Sequence, residues 1–65
     1  MNELDLVRLA ERILLDDDTV LEKDTTGTIV QVLRSGGYIV EFVDKRGHTL
    51  GTAILDETKL MNGDA

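Results

Sequence analysis

From Gly27 onward the chain is three apolar runs cut by polar, glycine-bearing turns, a spacing that leaves little room for anything but an antiparallel meander. The runs are Thr28-Ile29-Val30-Gln31-Val32-Leu33, Tyr38-Ile39-Val40-Glu41-Phe42-Val43 and His48-Thr49-Leu50-Gly51-Thr52-Ala53-Ile54-Leu55. Each is rich in β-branched or aromatic residues, which suit a pleated, half-buried surface. Arg34-Ser35-Gly36-Gly37 separates the first two and Asp44-Lys45-Arg46-Gly47 the next two, and their glycines supply the positive φ of tight hairpins. A period of two puts Tyr38, Val40 and Phe42 on one face of the second run, with Ile39, Glu41 and Val43 on the other. Both faces carry apolar residues, so a sheet that bends and closes on itself is expected rather than a flat one with a wet side. Gly27 and Gly51 fall where such a sheet places bulges, corners or close backbone approaches.

The flanks are less regular. Asp56-Glu57-Thr58-Lys59-Leu60 reads as one turn of helix or 3₁₀ capped by Asp56, leading to a short strand around Leu60 and Met61. The tail Asn62-Gly63-Asp64-Ala65 is expected to fray. At the other end Leu6, Leu9, Ala10, Ile13 and Leu14 fall at helical spacing, while Leu4 and Leu6 begin a strand-like alternation. Good helix formers at 9–12 favour a helix. Asp16-Asp17-Asp18 would end that helix badly, because three carboxylates at its C-terminus oppose the macrodipole. The segment is therefore a short helix or a strand over residues 4–10, and in the second case residues 11–23 form a long surface loop.

Length limits how much structure the chain can hold. The 65 residues make one small domain, 1–65. A core in a chain this short rarely supplies more than ~3–5 kcal/mol. Without cysteine there is neither a disulfide nor a thiolate zinc site to add to it, so further stability is expected from oligomerisation or a bound partner. The chain is too small for a deep enzyme cleft. No run approaches the ~20 apolar residues of a membrane span, and Met1-Asn2-Glu3-Leu4-Asp5 is acidic where a signal peptide is basic, so a soluble, cytoplasmic protein with no membrane partner is expected. Seven Lys and Arg against thirteen Asp and Glu leave a formal charge of -6. That disfavours nucleic acid, whose binding is driven largely by basic residues displacing counterions. It suits solubility, or steering toward a basic partner.

The stretch Gly27-Thr28-Ile29-Val30, then Gly37-Tyr38-Ile39-Val40-Glu41-Phe42-Val43-Asp44, then Gly47-His48-Thr49, preceded by Leu4-Asp5-Leu6-Val7, resembles a family of short bacterial proteins of unknown function. The resemblance covers roughly residues 4–60 and implies an all-β fold, an SH3-like small barrel of five strands. It departs from the family pattern at Asp24-Thr25-Thr26, where Gly-Asp is usual, and in a longer, more acidic loop from Leu14 to Leu21. The family brings no activity to transfer. Similarity to KOW-type and Tudor-type barrels is more distant. Those modules bind nucleic acid or modified peptides through basic grooves and aromatic platforms, and this chain has one Tyr and one Phe.

Candidate chemistry is sparse. Asp16-Asp17-Asp18 invites a hard cation, but it lacks the alternating acidic spacing, glycine and distal Glu of a calcium loop, and a solvated acidic loop is the plainer reading. If it has a role, it presents negative charge to a basic surface, supported by Glu22 and Asp24. His48 has no Cys or Ser nucleophile pattern and no second His beside it, and reads as a surface residue at a strand start. Glu41 is ordinary strand patterning. Gly36-Gly37 lacks the Lys-Ser/Thr of a phosphate loop. Arg34, Lys45 and Arg46 sit on two turns and would make a small basic spot, while Tyr38 is either an exposed contact or a core residue. Ile39, Val43, Leu50 and Ile54, where uncovered, would form a patch for a partner or a second copy.

The expectation is a non-enzymatic protein-interaction module without cofactor, metal or catalytic residues: an acidic antitoxin, immunity protein or accessory subunit binding a basic protein from the same operon. The rival is a KOW-like module that contacts nucleic acid through Arg34, Lys45 and Arg46.

Overall fold

A computed structural model describes residues 1–63. Among these residues seven strands form, β1 Leu6–Leu9, β2 Ile13–Leu14, β3 Val20–Leu21, β4 Thr26–Val32, β5 Tyr38–Val43, β6 Thr49–Leu55 and β7 Leu60–Asn62, with one 3₁₀ turn at Glu57–Lys59. Strands β6-β5-β4-β1-β7 make one antiparallel sheet in that order, and β2 pairs only with β3. The all-β class is as expected. The closed five-stranded barrel is not: the sheet is open, and two further strands lie in the segment read as loop. β7 is three residues long and, among the described residues, pairs only with β1, so it never reaches β6; Leu15 packs against the face of β6 at Gly51.

The meander keeps closely to the sequence pattern. β5 alternates as read, with Tyr38, Val40 and Phe42 buried and Ile39, Glu41 and Val43 half-buried. The deepest row of the core runs across the strands: Phe42 stands opposite Gly51 on β6 and Gly27 on β4, and Gly27 stands opposite Val7 on β1. A Cβ on Gly27 would lie 2.7 Å from Val40 Cγ1 and 2.8 Å from Phe42 Cδ1, so the glycine is the slot into which the ring fits. Gly27 therefore marks a close approach and not a bulge. The bulge of β4 falls between Ile29 and Gln31, and a second irregularity falls between Phe42 and Val43, where β6 carries the extra residue Leu50. Leu9, Ile29 and Leu60 complete the sheet's contribution to the core, and Leu15 and Leu21 join it from the β2–β3 hairpin.

The N-terminal segment is a strand, but it starts at Leu6. Leu4 is held at φ 70° in a turn where Asp5 N–H donates to Asn2 O and the Asp5 carboxylate accepts from Asn2 N, so it cannot continue an extended run. At the other end Asp56 caps the 3₁₀ turn as expected, its carboxylate accepting from Thr58 N at 2.9 Å. Asn62 and Gly63 do not fray: Asn62 pairs with Val7, and Gly63 N donates to Leu6 O. Asp64 and Ala65 lie outside the described residues. Lys59 reaches back to Glu11 at 2.6 Å, tying the 3₁₀ turn to the chain that leaves β1. The Glu11 carboxylate raises the Lys59 pKa.

Candidate functional site

Among the described residues three hairpins close with one and the same turn. In each, the first residue's N–H donates to the carbonyl four residues on: Leu15 to Thr19 at 2.8 Å, Leu33 to Gly37 at 2.8 Å, Asp44 to His48 at 2.9 Å. The fourth residue's N–H donates back to the carbonyl of the first, from Asp18, Gly36 and Gly47, each at 3.0 Å. That fourth residue is left-handed, with φ of 68° at Asp18, 96° at Gly36 and 84° at Gly47. This is the three-residue hairpin loop, a β-turn followed by one residue of positive φ. Two of the three turns place glycine there, as the steric argument requires, and the third places aspartate.

The tips differ in charge as well. Residues 16–18 carry three carboxylates, residues 34–36 one guanidinium, and residues 45–47 a lysine and an arginine. Asp16, Asp17, Asp18 and Glu22 are all exposed, and none takes part in an ion pair formed among the described residues. Asp17 also braces the turn itself. Its carboxylate accepts from Thr19 N at 3.0 Å, and the bonds from Thr19 hold its pKa below the usual carboxylate range. Asp24, also left-handed with φ 72°, is engaged by Arg8 at 3.4 Å. The charge is regional. Residues 1–24 hold eight of the thirteen acids and three of the seven bases, a net of -5 out of -6.

The basic candidates are not brought together. Arg34 lies in the turn before β5 and Lys45 and Arg46 in the turn after it, so a six-residue strand, about 20 Å long, separates them. Lys45 instead shares an open groove of about 440 Å³ with Lys23, Asp24 and Asp44, which alternates charge where a phosphate cradle would be uniformly basic. Tyr38 is 9% exposed and packs in the core, which closes its ring to a stacking partner. His48 stands at the surface as read, its Nδ1 3.3 Å from an Asp44 carboxylate oxygen. That carboxylate is occupied by the turn, accepting from His48 N at 2.9 Å and Arg46 N at 2.8 Å, and these bonds, His48's first, lower its pKa. Among the described residues no three His, Asp or Glu side chains are grouped to hold a metal ion, the three aspartates of the tip included.

The family described as Domain of unknown function (DUF4926) matches residues 3–62. The chain belongs to the DUF4926 family. No curated protein and no solved structure matches it. In this DUF4926 chain the Gly-Thr pair at 27–28 and the run 38–44 are structural: they make the ring slot, the core row and a turn. Sequence reasoning missed the β2–β3 hairpin and its buried anchors Leu15 and Leu21. Their signal was present as Ile13, Leu15 and Leu21 around an Asp-rich turn, but strands of two residues are too short to show a period. No helix among the described residues of this DUF4926 chain is long and apolar enough to cross a membrane.

Proposed function

We propose that the chain is a non-enzymatic interaction module that offers its β2–β3 hairpin tip to a basic surface of another protein, as an antitoxin, immunity protein or accessory subunit of the bacterial cytoplasm would. The observation that carries this reading is Asp18. At the matching position the other two turns use glycine, and an aspartate there costs up to about 1 kcal/mol of backbone strain that glycine avoids. In a domain with a core this small, retaining that cost is accounted for by the charge it adds beside Asp16 and Asp17. Exposed carboxylates without an internal cation keep their full field for a partner, and such fields act mainly on association rate and orientation. The order of elements, with a hairpin in the first connection, a three-stranded meander, a 3₁₀ turn and a last strand returning to β1, supports an open relative of the SH3-like barrels as the scaffold.

The test is capture of the tagged chain from a cytoplasmic extract of its host at low salt, with and without nuclease. A stoichiometric basic protein is expected that survives nuclease, elutes as salt rises, and is lost from the D16N/D18N/E22Q variant while the circular dichroism spectrum is unchanged. Asparagine tolerates the left-handed site, so that variant removes charge and keeps the turn. Recovery of nucleic acid in place of a protein, or a partner held equally by the variant, overturns the proposal.

A further inference from the structure

The run 38–44 builds the core row and a turn, and the Glu41 side chain takes part in neither. It lies on β5, an interior strand paired on both sides, and points to the sheet's outer face, away from Tyr38, Val40 and Phe42. Register fixes its neighbours there. Across the strands the row is Leu6, Thr28, Glu41 and Thr52, and along β5 the next outer residues are Ile39 and Val43, about 7 Å to either side. Ile39 stands opposite Ile54, and Val43 shares an open groove with Leu50 and Thr26. The patch expected from Ile39, Val43, Leu50 and Ile54 is thus one surface, with Ile54 69% exposed and Ile39 and Val43 half-buried. At its centre is a single carboxylate, itself half-buried, and no cation of the described residues pairs with it. Arg8, on β1, is engaged by Asp24, and Lys23 and Lys45 stand in the groove beyond Val43 without reaching Glu41. A carboxylate held among apolar side chains loses hydration, and here no internal partner offsets the loss.

We propose that this face receives an arginine side chain of a partner protein, the guanidinium on the Glu41 carboxylate and the arginine stem with its apolar neighbours on Ile39, Val43 and Ile54. Charge complementarity selects the occupant. A wholly apolar partner would bury Glu41 unpaired, and a second copy stacked on the same face would bring another unpaired carboxylate. An anionic lipid surface is repelled by it. Arginine answers both halves of the surface: its planar, weakly hydrated guanidinium meets both oxygens of a carboxylate, and its stem covers apolar area. The inference rests on the reading of the chain as a module for a basic partner, and adds a contact on a different element from the hairpin tip. Exposed tip carboxylates act on approach, whereas a carboxylate closed off by the docked partner acts on how long the complex lasts.

The probe is a blocked peptide, Thr-Val-Arg-Val-Thr, titrated into the full, isotope-labelled chain and followed by amide shifts in nuclear magnetic resonance. Saturable shifts are expected at Thr28, Glu41 and Thr52, with a Kd of about 1 mM. Thr-Val-Gln-Val-Thr, without the charge, and Thr-Ser-Arg-Ser-Thr, without the apolar flanks, should each bind about tenfold more weakly. Glu41→Gln should lose about tenfold in affinity for the arginine peptide, while its melting temperature holds or rises because the charge removed has no internal partner. The D16N/D18N/E22Q chain should give the same shifts as the wild type, so failure of the tip as a docking element and failure of this face are read separately. A peptide that shifts only the amides of residues 16–18 or none at all, or a Glu41→Gln chain that binds it as well as the wild type or melts lower, overturns the proposal.

Discussion

The β2–β3 and β5–β6 hairpins close with the same hydrogen bonds, yet one has strands of two residues and the other strands of six and seven. The long hairpin supplies Tyr38, Val40 and Phe42 to the core, and its turn adds a reversal of direction and the bonds of the Asp44 carboxylate to the backbone of Arg46 and His48. The short hairpin has two rungs of its own, Ile13 with Leu21 and Leu14 with Val20, and is held down by Leu15 and Leu21. A turn can thus be shared while its worth to the fold differs. Where the strands carry the stability, the tip is free to be glycine and cations; where the strands are minimal, the tip carries the charge.

The largest effect that would sharpen this contrast comes from emptying each hairpin's anchor. Phe42→Ala removes a fully buried ring and leaves Gly27 and Gly51 facing a void, at a cost of about 3–5 kcal/mol. A domain of this length holds about 3–10 kcal/mol in total, so this variant is expected at the edge of unfolding, read by urea titration. Leu15→Ala costs about 2–3 kcal/mol, the low end for a buried leucine because the site lies at the rim and can relax. Its signature is local: faster hydrogen exchange at the Leu15 and Asp18 amides, with the β5 amides still protected. Equal exchange in both hairpins would show that the short one is no separate unit.

The next contrast is one of sign at the left-handed position. Gly47→Ala forces a Cβ onto φ 84° and should destabilise by about 1–2 kcal/mol, although nothing lies within 4 Å of that Cβ. Asp18→Gly does the reverse, relieving a φ of 68°, and is expected to stabilise by up to about 1 kcal/mol while weakening partner capture. Thermal melts of the two variants against the wild type check both. A destabilised Asp18→Gly chain would mean that the aspartate is there for the fold, and the functional reading of the tip would fail.

Legibility in the sequence divides along the same line. β5 was readable to the residue because six positions of strict alternation stand between two turn signals. The Asp56 cap was readable because capping is local. Closure was not: whether β6 meets β7 depends on a three-residue strand and on Leu15 entering beside Gly51, contacts between segments far apart in sequence. The carboxylates of the tip were found by density alone. Their division of labour, with Asp17 bonding the turn and Asp18 in the left-handed site, depends on a register that two-residue strands do not announce. Arg34, Lys45 and Arg46 looked like one spot because neighbouring turns are close in sequence, yet successive turns of a meander lie at opposite ends of a strand.

The smallest expected difference between the hairpins is in acid. The Asp44 carboxylate is lowered by its bonds from the backbone of His48 and Arg46, and that of Asp17 by its bonds from Thr19. A carboxylate whose folded pKa is depressed stays ionised in the native chain after the unfolded chain has begun to bind its proton. Its stabilisation is therefore complete above the unfolded value, about pH 4, and is lost as pH falls through the lower folded value. Asparagine keeps the shape and cannot titrate, so the melting temperature of Asp44→Asn should lie below that of the wild type at pH 7 and converge with it toward pH 3. Asp17→Asn should show the same convergence, since the Thr19 hydroxyl and the Thr19 N–H both favour the charged form of Asp17. Both carboxylates are solvent-exposed and both shifts arise from hydrogen bonds rather than distant charges, so added salt should leave the convergence in place. A gap that stays constant with pH would place the contribution of these aspartates in turn shape alone, and a larger gap at Asp17 would make the short hairpin the more tightly held of the two.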